Sequence, residues 1–240
     1  MNKTLACIAL TLLLPIHAAL ADVADERKSP LGYGSKGYVW GTISLEQAEV
    51  MKLVPDARRG EEAFRGCRGC HKRDAAGVMD GTYPRLTGQH ASVVIKQVTE
   101  VRSGLRINPK MDPFASDHAV TPQEIADIAN YLSTLETTRE NGKGPDNLSV
   151  RGKALYLRNR CGICHGDNGE GNADKFYPVV AAQHYGYLLR EMVHIKKGTR
   201  GNSHPRMVKA IGKFSHADLE AVADYLSRLP DYRRVLAKGK

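Results

Sequence analysis

The segment Cys67-Arg68-Gly69-Cys70-His71 returns 94 residues later as Cys161-Gly162-Ile163-Cys164-His165. In a C-x-x-C-H segment the two thiols form thioethers to the vinyl groups of a porphyrin, and the adjacent histidine supplies the proximal iron ligand of a c-type haem. Cys67, Cys70, Cys161 and Cys164 are therefore predicted to hold two covalent haem c groups, with His71 and His165 as axial ligands. Two large apolar plates must then be enclosed. This fits a 240-residue chain with only four Phe and one Trp beside ten Tyr, because the macrocycles supply bulk that aromatic side chains supply elsewhere.

Other uses of four cysteines fit less well. A zinc finger or knuckle separates its cysteine pairs by a short stretch, and neither it nor a redox dithiol requires His directly after both pairs. Two disulfides, the first thought for an exported chain, leave the paired C-x-x-C spacing unexplained.

The repeat extends past the cysteines. At the same offset Tyr83-Pro84 recurs as Tyr177-Pro178, Gln89-His90 as Gln183-His184, Gly104 as Gly198 and Arg106 as Arg200. Tyr131-Leu132-Ser133 likewise recurs as Tyr225-Leu226-Ser227. Self-similarity at a fixed period means one structural unit used twice.

Each unit reads as helical. Short helices begin around Gly60 and Gly152 and lead to the cysteines. Amphipathic runs follow Gln89 (Val94, Val98, Val101) and Gln183 (Leu188, Met192, Ile195). Thr121-Pro122-Gln123-Glu124 is a capping box with Pro at the first helical position, and its helix presents Ile125, Ile128, Leu132 and Leu135; the counterpart starts at Ser215. No alternating strand pattern of useful length occurs, so the expected class is all-α.

The expected divisions are a signal peptide (1–21), an N-terminal extension (22–57) and two haem domains (58–140 and 141–240). Lys3, the apolar stretch 5–16 and Ala19-Leu20-Ala21 have the order of an export signal cleaved before Asp22. That stretch is too short for a bilayer span, and Cys7 is discarded with it. Residues 22–57 have no partner in the second half. Their glycines and aromatics suggest an ordered wrap, and Ser44 to Gln47 a capping box for a short helix. The polar residues 136–147, with Asn141-Gly142 and Gly144-Pro145, read as the linker.

The sixth iron ligand decides the chemistry. An iron with a single protein ligand can bind small molecules or turn over peroxide; one saturated by two strong ligands passes electrons. Met111 and Met207 lie 40 and 42 residues after His71 and His165, in proline-containing loops before the last helix of each unit. His90 and His184 are the paired rivals, but they stand at expected helix starts. Met79 is too near His71, Met192 belongs to an apolar helix face, and Met51 is outside the repeat. The axial sets His71/Met111 and His165/Met207 follow.

The order of C-x-x-C-H, Tyr-Pro, Gln, amphipathic helix, Gly-x-Arg, Met segment and closing helix resembles the dihaem cytochromes c of the cytochrome c4 type over about residues 58–230. The resemblance implies two tandem class I cytochrome c domains related by a pseudo-twofold axis, with haem propionates facing across the interface. It also implies that the carbonyls of Pro84 and Pro178 orient His71 and His165, and that the chain is a soluble or membrane-associated periplasmic carrier. Two departures stand out: the extension, and Ala182 where the first half has Gly88.

Residues 22–144 carry 17 basic and 17 acidic side chains; residues 145–240 carry 17 and 9. The basic run Arg190, Lys196, Lys197, Arg200, Arg206, Lys209 and Lys213 surrounds the second Met segment and suggests docking to an acidic redox partner, since opposite charge steers encounter. Nucleic acid does not suit an exported dihaem chain. The expected function is non-enzymatic transfer of single electrons between a periplasmic donor complex and a terminal oxidase or reductase. The alternative is the haem subunit of a sulfur-compound or other periplasmic dehydrogenase. A dihaem peroxidase would need one openable iron, which the paired methionines oppose.

Overall fold

The computed structural model describes residues 41–136 and 140–231. The expected signal peptide and the expected wrap up to residue 40 lie outside the described residues. Eleven α-helices are described: α1 (Leu45–Val50), α2 (Ala57–Ala63), α3 (Arg68–His71), α4 (Ala91–Arg102), α5 (Asp112–Ala115), α6 (Pro122–Thr134), α7 (Ser149–Arg158), α8 (Gly162–His165), α9 (Tyr185–Lys197), α10 (Pro205–Gly212) and α11 (His216–Arg228). Among the described residues the sole β feature is an isolated bridge between Asn172 and Tyr177. The all-α class is as expected, and no described helix is long and apolar enough to cross a membrane.

In each unit the first helix crosses the last, α2 on α6 and α7 on α11, and a glycine makes the crossing close. A Cβ on Gly60 would lie 2.1 Å from the Asp127 carbonyl oxygen, and one on Gly152 would lie 1.9 Å from that of Ala221. One turn further on, Phe64 meets Tyr131 at 5.8 Å between ring centroids, and Tyr156 meets Tyr225 at 5.5 Å. The apolar faces then close over these pairs. Ile125, Ile128 and Leu132 of α6 pack with Phe64, Val94 and Ile95, while Leu188, Met192 and Ile195 of α9 pack with Tyr156, Leu219, Val222 and Leu226. Met192 is thus a core residue, as its helical spacing predicted.

The closing helices start where expected, and the expected cap at Thr121 has a counterpart at Ser215. Thr121 with Glu124, and Ser215 with Asp218, form complete capping boxes that satisfy the otherwise orphaned first-turn donors. At α1 the expectation holds by half: the Ser44 hydroxyl accepts from Gln47 N at 3.0 Å, but the Gln47 side chain turns to the Met51 sulfur. Ala182 and Gly88 share one backbone shape, at φ 53° and 71°, and each donates its N–H to the closing helix, at Leu226 and Leu132. The alanine is held in the left-handed region at a cost of roughly 1–2 kcal/mol.

The two units meet through the same residues used twice. Gln89 accepts from Val179 N at 2.9 Å and donates to Val179 O at 3.1 Å; Gln183 accepts from Arg85 N and donates to Arg85 O, both at 2.9 Å. Positions 85 and 179 share the 94-residue offset, so each glutamine reads the other unit's backbone as an amide partner would. This is the self-complementary pattern of a twofold contact built into one chain.

Charges complete the contact on one side. Arg106 from the first unit and Arg200 from the second converge on Glu191, at 3.0 and 3.1 Å. Burial favours a neutral Glu191, yet the two guanidinium groups together hold it below the usual carboxylate range. The described part of the segment read as a linker packs against both units instead of standing as a solvated tether: a Cβ on Gly142 would lie 1.7 Å from Met79 O of the first unit. Asn141 is buried and donates to the carbonyls of Gln183 and Ser227, at 3.0 and 2.8 Å, while Gly142 N donates to His184 Nδ1. Turn-forming residues are polar for solvent in most loops; here the same polarity satisfies backbone groups at the ends of α9 and α11.

Candidate haem sites

Both cysteine motifs fold into a tight turn that ends in a short helix. In the first unit a 3-10 turn (Phe64–Cys67) runs into α3, with Cys70 and His71 at its end; in the second, Cys161 caps α8, which ends on Cys164 and His165. The four thiols are unpaired, and no group of three or more His, Cys, Asp or Glu gathers among the described residues, so the cysteines are not brought together as a zinc site. Burial pushes the Cys67 thiol up to about 11 and raises that of Cys161. A neutral, half-buried sulfur is unsuited to thiolate redox chemistry and has the apolar surroundings a porphyrin edge needs.

The histidines are fixed in matching ways. His71 Nδ1 lies 3.2 Å from the Pro84 carbonyl oxygen, and His165 Nδ1 lies 3.4 Å from that of Pro178. The carbonyl can only accept, so Nδ1 carries the proton and Nε2 presents its lone pair, the tautomer an iron requires. Burial lowers both imidazoles, which keeps them neutral. The loops behind them are as closely matched. Gly77 N donates to His71 O at 3.0 Å and Gly171 N to His165 O at 2.8 Å. Both glycines have φ of +72°, and a Cβ on either would come within 2.6 Å of the Tyr-Pro backbone. The Tyr-Pro dipeptide is therefore the wall that sets the histidine.

The methionine segments come round to that wall. Tyr83 stands edge-on to His71 with ring centroids 6.1 Å apart, and the ammonium of Lys110, next to Met111, lies 5.7 Å from the Tyr83 ring centroid. In the second unit Tyr177 packs against His204, three residues before Met207, at 6.3 Å. Met111 and Met207 are both half-buried. The sequence placed them in loops. The structure places Met111 at the N-cap of α5 and Met207 inside α10, where Pro205 at the first helical position starts a helix that the preceding loop chemistry masked.

The rival histidines have other employment. His184 Nε2 lies 2.7 Å from Ala76 O, and its Nδ1 accepts from Gly142 N at 3.0 Å; His90 Nε2 lies 2.8 Å from Glu170 O. Ala76 and Glu170 are equivalent positions just after the two haem histidines. Each helix-starting histidine thus ties the other unit's haem loop, a role that sequence reading missed although both residues belong to the repeat.

The donor set fits haem c in both units, and one buried atom supports the fit. Arg106 is 5 % exposed, and its Nη1 has no hydrogen-bond partner among the described residues. A buried guanidinium nitrogen left without an acceptor costs more than an ordinary hydrogen bond contributes, and a haem propionate is an acceptor of the required charge.

The cytochrome c family model matches residues 57–136 and again residues 149–230. Cytochrome c4 of Azotobacter vinelandii is 26% identical over 217 residues, spanning 81% of this chain and 99% of its own. The thiosulfate dehydrogenase electron acceptor of Stutzerimonas stutzeri is 31% identical over 200 residues, spanning 78% of this chain and 89% of its own. The crystal structure of reduced recombinant cytochrome c4 from Pseudomonas stutzeri aligns with a TM-score of 0.66 at 25% identity, covering 74% of this chain and all of that one.

Proposed function

Because this chain belongs to the cytochrome c family, as a two-domain dihaem electron-transfer cytochrome of the c4 type, we propose that it is a periplasmic carrier that moves single electrons between a donor complex and a terminal oxidase or reductase. Haem c, when bound, supplies an iron that changes oxidation state by one electron. In this reading Cys67 and Cys70 hold one group and Cys161 and Cys164 the other. His71 and His165 would hold the irons through Nε2, with Met111 and Met207 as the second protein ligands. An iron held by protein at both positions would leave no place for substrate, which supports reading the chain as a carrier and not an enzyme.

The observation that carries the reading is the double use of His90 and His184. Nε2 of each is committed to a carbonyl of the other unit's haem loop, and Nδ1 of His184 accepts from Gly142 N, which favours the methionines as the repeat-paired soft donors. Those same contacts fasten each haem loop to the other unit, so two redox sites share one body and a short path. The test is to expose the reduced dihaem protein to carbon monoxide and the oxidised protein to peroxide. Neither changes the haem spectrum of a carrier with saturated irons; rapid formation of a carbon monoxide complex at one haem would make it an enzyme-like site and overturn the proposal.

The second reading, a haem subunit of a sulfur-compound dehydrogenase, is favoured by the likeness to an electron acceptor named for thiosulfate dehydrogenase. Stable co-purification with a catalytic subunit would select it. Export is supported by the order of Lys3, residues 5–16 and Ala19-Leu20-Ala21; a mature protein beginning at Asp22, read by N-terminal sequencing, is the expected result.

An acidic partner surface remains part of the proposal, on a reduced set of residues. Arg190 is spent on the carbonyls of Gly81 and Thr82, Lys196 on that of Phe214, and Arg200 on Glu191. Lys197, Arg206, Lys209 and Lys213 face solvent at the end of α9 and along α10, and Lys196 is exposed beside them although its ammonium donates to Phe214 O.

A further inference from the structure

Among the described residues the second unit has no helix equivalent to α1, and the Arg102 side chain links α1 to the segment that carries Met111. Arg102 is the last residue of α4 and its side chain is 10% exposed. Its Nε donates to Ala115 O at 2.6 Å, its Nη2 to Val120 O at 2.6 Å, and its Nη1 pairs with Asp117 at 3.0 Å and with Glu46 of α1. Glu46 is itself held in place, because the next residue, Gln47, and Val50 one turn on are buried at 3% and 1%. Four groups from three parts of the chain thus converge on one guanidinium.

What this guanidinium grips is the turn of Met111. Asn108 O accepts from Met111 N and Asp112 N, both at 2.9 Å, and Met111 O accepts from Phe114 N and Ala115 N, both at 3.0 Å. Residues 108–115 are one hydrogen-bonded piece, and Arg102 holds its last carbonyl. Helix α5 has only four residues, too few to be stable without outside contacts. The second unit is built differently. Lys196, the equivalent of Arg102, reaches Phe214 O, the equivalent of Val120 O, and so makes one of the four contacts. Met207 instead lies in an eight-residue helix and packs against the second core.

We infer that Arg102 is a positioning residue for Met111, and that Glu46 makes the N-terminal segment a latch on the axial ligand of the first haem alone. The inference rests on the axial reading above. A five-donor planar fork serves several acceptors at fixed angles, where an ammonium on a flexible stem offers three rotating donors with no such fixed geometry. The extension therefore acts on one of two otherwise matched redox sites, a difference that the repeat itself cannot encode.

The test uses the full dihaem protein carrying Met207→His, in which the sulfur-to-iron charge-transfer absorption reports Met111 alone. Added imidazole competes for the iron. Arg102→Lys is expected to lower the imidazole concentration for half-loss of the absorption at least tenfold, and Glu46→Gln at least threefold. In the Met111→His background, where Met207 reports, neither change moves the midpoint. Equal shifts in both backgrounds, or none in either, overturn the latch. Amide hydrogen exchange gives a readout that does not depend on the ligand. Exchange over residues 108–119 should quicken at least tenfold in Arg102→Lys, with residues 203–213 unchanged, and unaltered exchange over 108–119 overturns the latch whatever binds the iron. Absence of the absorption from the Met207→His protein before imidazole is added would instead remove Met111 as a ligand, and the axial reading would fall on its own.

Discussion

His184 Nε2 lies 2.7 Å from the carbonyl oxygen of Ala76, five residues after His71, and the equivalent His90 lies 2.8 Å from that of Glu170, five residues after His165. Each imidazole begins a helix in one unit and closes the haem loop of the other. The contact between units is thus continuous with the sites it joins.

The glutamines that precede these histidines should carry much of that contact. Gln183 is buried, and truncation would strand both the N–H and the carbonyl of Arg85. A buried backbone group left unpaired costs about 1–3 kcal/mol, so Gln183→Ala should lower the urea midpoint clearly. Gln89→Ala should cost less because Gln89 is only half-buried. Equal and negligible effects would mean that the units are held by something other than this exchange of amides.

The helix crossings admit no side chain. Gly60→Ala and Gly152→Ala would place a Cβ against backbone oxygen at 2.1 and 1.9 Å, and overpacking of this kind typically costs about 1–3 kcal/mol. Thermal unfolding of the two variants should show losses of similar size, because the same crossing is made twice.

The cap of α11 predicts an acid limb. Hydrogen bonds from the Ser215 hydroxyl and N–H, followed by the Arg151 guanidinium, hold the Asp218 carboxyl down from the ordinary 3.8 to about 2. A depressed carboxylate contributes stability that is complete above 3.8 and disappears as the pH falls toward 2. Asp218→Asn should therefore lower the melting temperature at pH 6 and flatten its decline between pH 4 and pH 2. Ser215→Ala should cost about 1 kcal/mol at neutral pH.

Solvent-facing cations should govern encounter, and internally paired ones should govern folding. Reversal of Lys197, Lys209 and Lys213 to Glu is expected to slow electron transfer to an acidic partner several-fold at low salt and to flatten its salt dependence, since steering is screened by ions. Arg200→Glu should instead destabilise the protein, by setting a second carboxylate against Glu191 beside Arg106. Stopped-flow rates at several ionic strengths separate the two classes.

Local chemistry made much of this legible in advance. The C-x-x-C-H pairs, the capping box at Thr121, the helix start at Ser215 and the apolar spacing on α4, α6, α9 and α11 are short-range signals, and each holds in the structure. What the sequence hid depends on distance. Nothing local distinguishes Arg200, spent on Glu191, from Lys209, free in solvent, so the basic run looked uniform. Asn141 and Gly142 carry turn chemistry in either setting, and only the approach of α9 and α11 makes them interior. The roles of His90 and His184 also lie across the interface. The offset between Ala76 and Glu170 could have pointed to a reciprocal contact had the repeat been read as a symmetry and not only as a duplication.

The central claim is that both irons are saturated by a histidine and a methionine from the same unit. The most direct measurement is the sulfur-to-iron charge-transfer absorption of the oxidised protein, quantified per chain against haem content. It should equal two methionine-ligated haems in the wild-type protein, fall by half in Met111→His and in Met207→His, and vanish in the double variant. An absorption missing from the wild type, or unchanged in either single variant, would contradict the account.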